Sequence, residues 1–408
     1  KRKFMKESNP AGTLLYETED FLTDVFSGKW YIQLTPIEGL TVTGTLGSYV
    51  SNQRYHGIGN PFYGGAVAYG GSASQGYYRT RALNLQGLAN YRRTFNNVHD
   101  VDLLLGYESY DYNYETLTGN GYNLYMPDSW AMYNVIDRKN TTGRQLTYAT
   151  RGIFARANYS FDARYFASVS FRRDASSRFA PDQRWGNFWS VSGAWDAAKE
   201  QFTQDLTWLD QLKVKASFGQ QGNDDLLYDD GTSNYYPYQD QYRVTGANGI
   251  WSDGELYYKG NSKITWETSN NFNAGIDFSV FNSMLSGTVE YFNRQTSDML
   301  YNKPVSPSNG YSSIPMNIGS MRNNGVEIEL NYRPVDTKNI TWDINYNITF
   351  INNKILKLHP DLNGELISGS RIYREGRSMY ELYLPKYMGV DPTTGLALYL
   401  DRDPIVDA

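Results

Sequence analysis

Apolar and polar residues alternate one by one along most of the chain. From Thr341 to Phe350, every odd position is Thr, Asp or Asn, and every even position is Trp, Ile, Tyr or Phe. The same split recurs at 326–333, 273–280 and 213–218. A period of two places the two classes of residue on opposite faces of a β-strand, whereas a helix repeats every 3.6 residues. The pattern therefore predicts an all-β protein.

The alternation predicts about twelve antiparallel strands, joined by connections that are short at one end and long at the other. The strands are expected near 26–36, 39–54, 78–93, 98–117, 147–161, 164–177, 185–197, 210–220, 265–281, 284–300, 318–334 and 339–354. Short connections are expected near 36–38, 96–100, 161–164, 281–283 and 335–338, and long ones at 51–77, 113–143, 222–260 and 305–317. This asymmetry is typical of a transmembrane β-barrel with long extracellular loops.

The chemistry of the two faces favours the same architecture. The polar face carries Asn, Thr, Ser, Asp, Glu and Arg, as a wetted lumen requires. Aromatic residues such as Trp185, Trp342 and Phe350 lie near strand ends, as in the girdles at membrane interfaces. In the strands of a soluble sandwich or propeller, apolar and polar residues also alternate, but the turns of such a protein are short at both ends of the sheet. Lipid cannot hydrogen-bond a free sheet edge, which is why such sheets close into barrels.

Composition excludes several functions. Of the 408 residues 20% are charged, which is low beside the ~25% usual for soluble domains. There is no cysteine and there are three histidines, so a thiol catalyst or a structural zinc site is not available. The net charge of −5 and the absence of a Lys/Arg run argue against nucleic acid as a partner. No catalytic constellation is recognised, and the sequence predicts that the protein is not an enzyme.

Five segments carry a resemblance to a known family. They are ARANYSFDARYFASVSFRRDASSRFAPDQRWGNFWSVSGAWDAAKEQF at 155–202, LKVKASFGQQGND at 212–224, a hairpin at 264–305 that contains WETS at 266–269, NIGSMRNNGVEIEL at 317–330 and YLPKYMGVDPTTGLALY at 383–399. In order and spacing they resemble the SusC/RagA family of TonB-dependent outer-membrane transporters. The resemblance extends over about 155–400 and is loose before 150.

The resemblance implies active import of a large nutrient, an oligosaccharide or a peptide, across the outer membrane of a Gram-negative cell. It implies a SusD-like lipoprotein as a lid, energy from TonB–ExbB–ExbD, contact with outer-membrane lipid and dimers of transporter–lid pairs, with no cofactor. A passive porin or adhesin barrel, a siderophore receptor and a soluble β carbohydrate-binding protein are the alternatives.

The resemblance also implies a longer protein. Large plugged transporters have 22 strands, so we expect residues 1–408 to be a partial barrel domain, with an extracellular loop region at 355–408. We expect the signal peptide, the N-terminal extension, the plug and the last strands to lie outside this chain. A mass near 46.6 kDa for the intact protein would contradict this expectation.

Aromatic residues crowd the predicted loop 222–260 and are the candidate substrate contacts. The set consists of Tyr235, Tyr236, Tyr238, Tyr242 and Trp251, interleaved with acidic and amide side chains. Aromatic rings beside hydrogen-bonding groups suit the faces of sugars and also suit peptides. The alternative is that these residues pack the loop itself or contact the lid.

Charged residues on the polar phase of the strands are candidate lumen groups. Arg172 shares its phase with Ser168 and Ser170, and Glu327 and Glu329 are its candidate partners. Acidic groups in two loops, Asp224, Asp225, Asp229 and Asp230 in one and Asp361, Asn363 and Glu365 in the other, are a weak option for calcium. Neither group matches a full EF-hand loop, and solvated loop charge is the alternative.

Overall fold

A computed structural model describes residues 10–228, 231–243 and 255–400. Its main element is one antiparallel sheet of twelve long strands. These strands are β1 (Thr18–Ile37), β2 (Leu40–Gly59), β3 (Ser72–Phe95), β4 (His99–Leu124), β5 (Val135–Phe161), β6 (Tyr165–Ser176), β7 (Trp185–Asp196), β8 (Leu209–Asn223), β11 (Glu267–Val280), β12 (Leu285–Ser297), β15 (Ser320–Asp336) and β16 (Thr341–Lys357).

The remaining elements are small and lie mainly in the connections. Eight short strands pair as four hairpins: β9 (Gln241–Arg243) with β10 (Glu255–Tyr258), β13 (Leu300–Pro304) with β14 (Ser313–Asn317), β17 (Glu365–Ser368) with β18 (Arg371–Arg374), and β19 (Tyr387–Val390) with β20 (Ala397–Tyr399). One α-helix covers Pro10–Tyr16, and single 3₁₀ turns cover Gly65–Tyr69, Met132–Asn134, Ala197–Lys199, Gln201–Thr203, Pro307–Asn309 and Pro360–Leu362. None of the described helices has the length and hydropathy needed to cross a membrane.

Each strand of the large sheet pairs with the large strands that precede and follow it in the chain, and the short hairpins β9–β10 and β13–β14 are left outside the sheet. The order is β1-β2-β3-β4-β5-β6-β7-β8-β11-β12-β15-β16, so the described sheet is a meander with β1 and β16 at its edges. The register is continuous over long stretches; β11 and β12 pair from Thr268↔Ser297 to Val280↔Leu285 without a slip.

The apolar face of the sheet is exposed and the polar face is the more enclosed one. On β6, Val169 and Phe171 expose 53% and 48% of their surface, whereas Ser168 and Ser170, which alternate with them, are half-buried. A cavity of about 530 Å³ lies against this face between β4 and β12, and Asp102, Lys215 and Glu290 are in its lining, so the polar face is concave. A soluble sandwich would bury its apolar face, so this sheet has the sidedness of a barrel wall.

The tight turns lie at one end of the sheet. Asn96 and Asn97 have φ of 50° and 59°, and the Val98 amide donates to the Phe95 carbonyl at 3.2 Å. Two successive left-handed residues form a type I′ turn, whose twist matches that of the flanking strands, and asparagine tolerates this conformation. The connection from β7 to β8 (Ala197 to Trp208) is the exception at this end, because it holds two 3₁₀ turns.

The large strands lie close to the predicted positions at the short-turn end, and β1 to β5 extend further than predicted at the other end. β5 begins at Val135 instead of 147, and β4 continues to Leu124 instead of 117. These extensions carry polar residues on both faces, so alternation could not reveal them, but they remain paired with each other.

Candidate functional site

The connection between β8 and β11 is anchored against the polar face at the long-loop end. Asn234 is fully buried at its base. Its backbone amide donates to the Leu226 carbonyl at 2.8 Å. Its side-chain oxygen accepts hydrogen bonds from the Tyr236 backbone amide at 3.0 Å and from the Gln241 side-chain amide at 3.3 Å. One buried asparagine therefore fixes the turn that presents Tyr235 and Tyr236.

A buried arginine joins this connection to the wall. Arg178, from the β6–β7 connection, exposes 7% of its side chain and lies 3.3 Å from Asp224 and 3.0 Å from Asp225. Its guanidinium stands over the rings of Tyr148 and Tyr235, at 4.5 and 5.4 Å from their centroids. Cation, carboxylates and rings together form a clasp, which we call the Arg178 clasp.

The Arg178 clasp is completed by hydroxyl groups of the wall. Tyr148 Oη and Ser176 Oγ donate to the same Asp224 oxygen at 2.8 and 2.5 Å. The Asp224 carboxylate thus has a cationic partner and two neutral donors. Since a buried charge is tolerated only when it is paired and hydrogen-bonded, the clasp specifies one position for the connection.

The predicted tyrosines occupy different environments. Tyr235 stacks on Tyr112 with centroids 6.1 Å apart and rings inclined by 7°, and Tyr236 Oη lies 2.9 Å from Thr147 Oγ1. The Tyr238 hydroxyl accepts from the Gln239 side chain at 2.8 Å, and Tyr242 on β9 exposes 56% of its surface. Trp251 lies outside the described residues. Tyr235 and Tyr236 thus contact the wall, while Tyr242 is open to solvent.

A groove of about 920 Å³ runs between the anchored connection and the wall. Its aromatic and polar lining includes Tyr112, Tyr114, Arg144, Tyr228, Tyr235 and Tyr236. Tyr112, Tyr114 and Arg178 were not among the sequence candidates. The alternation of Tyr110, Tyr112 and Tyr114 on one face of a strand was the available signal; Arg178 gave none, since its partners are 46 residues away.

The structure places the predicted lumen charges on the polar face but does not bring them together. Arg172 Nε donates to Asp174 at 2.6 Å, and its terminal nitrogen donates to Glu108 at 3.2 Å. Glu327 instead lies opposite Glu290 and Thr349, and Glu329 opposite Thr288 and Asn347. The candidate pairing of Arg172 with Glu327 and Glu329 is therefore replaced by Glu108 and Asp174.

A second charged group on this face was missed by the sequence reasoning. Lys215 Nζ lies 2.8 Å from Asp277 and 3.4 Å from Glu290, on three different strands. Residues on strands this far apart in the chain become neighbours only through the register of the sheet. The concave face is thus lined by paired charges and polar side chains, as a water-filled interior requires.

The acidic residues considered for calcium have cationic partners. Asp224 and Asp225 face Arg178, Asp361 pairs with Lys303, and Glu365 accepts from Arg374 at 2.8 Å. The hydrogen bond from Lys303 lowers the pKa of the Asp361 carboxyl. Asp229 and Asp230 lie outside the described residues. Within the described ranges, no three His, Asp or Glu side chains form a group that could hold a metal ion.

One loop ion pair orders the far side of the same connection. Lys259 Nζ lies 2.7 Å from Asp240, whose other oxygen accepts the Gly260 amide at 2.9 Å. The hydrogen bond from Lys259 lowers the pKa of Asp240, and the same bond raises the pKa of Lys259. Both residues are charged at neutral pH, so this contact is intact there.

Residues 8–399 match the family model described as "TonB dependent receptor-like, beta-barrel". The chain belongs to this family. Members of this receptor family are β-barrels of the outer membrane, so the described sheet is barrel wall with its exposed apolar face toward lipid. This match confirms the predicted barrel fold class and the outer-membrane location, and together with the similarity to SusC and to the RagAB structure it confirms the recognised family.

Two curated relatives and one solved structure that are similar to this chain support the same family. The chain is 29% identical over 95% of its length to TonB-dependent receptor P39 of Formosa agariphila, and 30% identical over 79% to TonB-dependent receptor SusC of Bacteroides thetaiotaomicron. It covers 37% and 31% of these relatives, about a third of their length. The RagAB peptide transporter structure matches 98% of the chain with a TM-score of 0.88 and 25% identity, and the chain covers 44% of it.

Proposed function

We propose that the chain is wall of a TonB-dependent importer that takes up a large nutrient, an oligosaccharide or a peptide, with a SusD-like lipoprotein as its lid. The observation that carries this proposal is the similarity to the RagAB peptide transporter along 98% of the chain, together with the similarity to SusC. Coupling to TonB–ExbB–ExbD is general to the family.

The geometry at the long-loop end supports binding of such a cargo. The groove beside the β8–β11 connection presents tyrosine rings, an arginine and amide groups within one space of about 920 Å³. Rings contact the apolar CH faces of sugars or the side chains of peptides, and the polar groups satisfy hydroxyl or amide groups. A concave, aromatic-lined space with a few polar groups is the usual form of a ligand site.

Uptake by intact cells tests the proposal. Cells producing the full-length receptor are given fluorescent oligosaccharides and peptides, with and without functional TonB. We expect uptake of one class, and its loss in cells that lack TonB. Uptake that persists without TonB would identify a passive pore and contradict the proposal, and uptake of ferric chelates alone would identify a siderophore receptor.

The lid is tested by purification of the same receptor. An affinity-tagged full-length receptor extracted in mild detergent is expected to retain a lipoprotein of the SusD type in a one-to-one ratio. Repeated isolation of the receptor without such a partner, with transport intact, would argue against a lid.

The exposed ring of Tyr242 allows a test of whether the loop aromatics contact the cargo. Tyr242→Ala is expected to weaken uptake about two- to tenfold, the value of one aromatic contact, whereas Tyr242→Phe keeps the ring and is the matched control. Equal uptake by all three receptors would assign the loop aromatics to packing or to the lid.

A further inference from the structure

The lipid-facing side of β3 changes from apolar to cationic toward the long-loop end. Leu85, Leu83, Arg81, Arg79 and Tyr77 follow one another at every second position, so they project from the same face. All five side chains are exposed. Toward the short-turn end this face carries apolar side chains, whereas Asp111, opposite Leu83 on β4, already pairs with Arg151 at 2.8 Å, so the two arginines lie where the apolar band of the wall ends.

These two arginines lack a protein partner within the described part of the chain. No described carboxylate lies within ion-pair distance of Arg79 or Arg81. Glu115 is opposite Arg79 in the register, yet it forms no ion pair with it and accepts instead from Gln145 at 3.4 Å. Neighbouring lipid-facing arginines differ: Arg54 lies 3.3 Å from Asp24.

A second strand shows the same transition at its end. On β6, Val169 and Phe171 are followed on the same face by Arg173, whose guanidinium stands 5.0 Å from the centroid of Trp185. Aromatic and cationic side chains concentrate at the headgroup level of membranes. The position of Arg173 therefore indicates, independently of β3, that the apolar band gives way to headgroups here.

We propose that Arg79 and Arg81 bind the phosphate groups of a phosphorylated glycolipid in the outer leaflet of the outer membrane. The guanidinium group suits this role because its planar fork donates two hydrogen bonds to one phosphate. Leu83 and Leu85 contact the acyl chains below the phosphates, and the exposed Tyr77 ring contacts the sugar above them. Acyl chain, phosphate and sugar thus meet apolar, cationic and aromatic side chains in the same order along one strand.

Native mass spectrometry of the full-length receptor tests this site. Receptor is extracted from outer membranes in mild detergent, and retained phosphorylated glycolipid is counted for the parent, for the double variant Arg79→Gln/Arg81→Gln and for Arg93→Gln. Arg93 is the matched control, because it is an exposed arginine on the same face of β3 near the short-turn end. We expect the double variant to retain about tenfold less glycolipid, and Arg93→Gln to retain as much as the parent.

Competition separates the lipid from other sources of the same chemistry. Stripped receptor is incubated with purified lipopolysaccharide, with its dephosphorylated form, with phosphatidylglycerol and with inorganic phosphate. Preferential binding of the phosphorylated glycolipid, lost in the double variant, supports the site. Equal glycolipid retention by the double variant, equal binding of the dephosphorylated form or of phosphatidylglycerol, or loss of a bound protein instead of lipid would overturn it. Heat-modifiable gel migration verifies that each variant is folded.

Discussion

At the scale of residues, Arg178 has the greatest consequence for the candidate site. It is the only cation of the Arg178 clasp, and both of its carboxylate partners belong to the β8–β11 connection. No local pattern distinguishes Arg178 from the exposed Arg173 five positions earlier. The sequence could therefore locate the loop aromatics but could not show how they are held, because that depends on contacts between distant connections.

Replacing Arg178 should release the connection from the wall. Arg178→Met leaves the largely enclosed Asp224 side chain, which is 14% exposed, without its cation; for a buried pair this loss costs about 3–5 kcal/mol. We expect faster hydrogen exchange at Leu226 and Asn234, with the strands unchanged. Arg173→Gln, an exposed change in the same block, is the control. Protection at Asn234 equal to that of the parent would show that the clasp is not what holds the loop.

The ion pair of Asp240 and Lys259 predicts a pH window for the same connection. A depressed carboxyl pKa contributes stability above its unfolded value, and this contribution is lost as the pH falls through the folded pKa. The raised pKa of Lys259 sets the upper end of the window, because the contribution of the ion pair is lost as the pH rises through the folded pKa of Lys259. We expect the Gly260 amide to stay protected between about pH 4 and pH 10, after correction for intrinsic exchange. Asp240→Ala, which removes the oxygen that accepts the Gly260 amide, should remove the protection throughout, and a loss near pH 6 in the parent would contradict this account.

At the scale of elements, the strands follow from alternation, and the turns follow from short-range chemistry. Asn96 and Asn97 suit their left-handed conformation. Ala163 has the same left-handed conformation in the β5–β6 turn, with φ of 50°, although alanine is poorly suited to it. Its carbonyl accepts a hydrogen bond from Lys199 at 2.8 Å, a contact with the β7–β8 connection that no local pattern predicts. The strand ends beyond the membrane band were also missed, since they lack alternation.

Ala163→Gly should stabilise the wall. The left-handed conformation costs an ordinary residue about 1–2 kcal/mol, and glycine is free of this cost. We expect a higher midpoint of thermal unfolding for the full-length receptor, read from heat-modifiable gel migration. Ala167→Gly, on the lipid-facing side of β6, is the control and should lower the midpoint. A lower midpoint for Ala163→Gly would show that the methyl group has a packing role.

At the scale of the whole molecule, the two edges of the described sheet matter most. β1 pairs with β2 and β16 with β15, and within the described residues neither has a second partner in the large sheet. An open row of backbone donors and acceptors is not tolerated in lipid. We expect both strands to be hydrogen-bonded on their outer side in the assembled receptor. Hydrogen exchange in native membranes checks this expectation: the amides of β16 should all exchange as slowly as those of β12. Fast exchange at every second amide of β16 would contradict it.

The meander order of the sheet has a consequence for how the protein is built. Each interior strand of the large sheet pairs with the large strands immediately before and after it in the chain, so each pairing joins segments that are close in sequence. Chains with contacts this local lose little loop entropy at each step. The wall can be assembled hairpin by hairpin along the chain, and the connections that carry the groove are positioned only after the strands on both sides of them are in place.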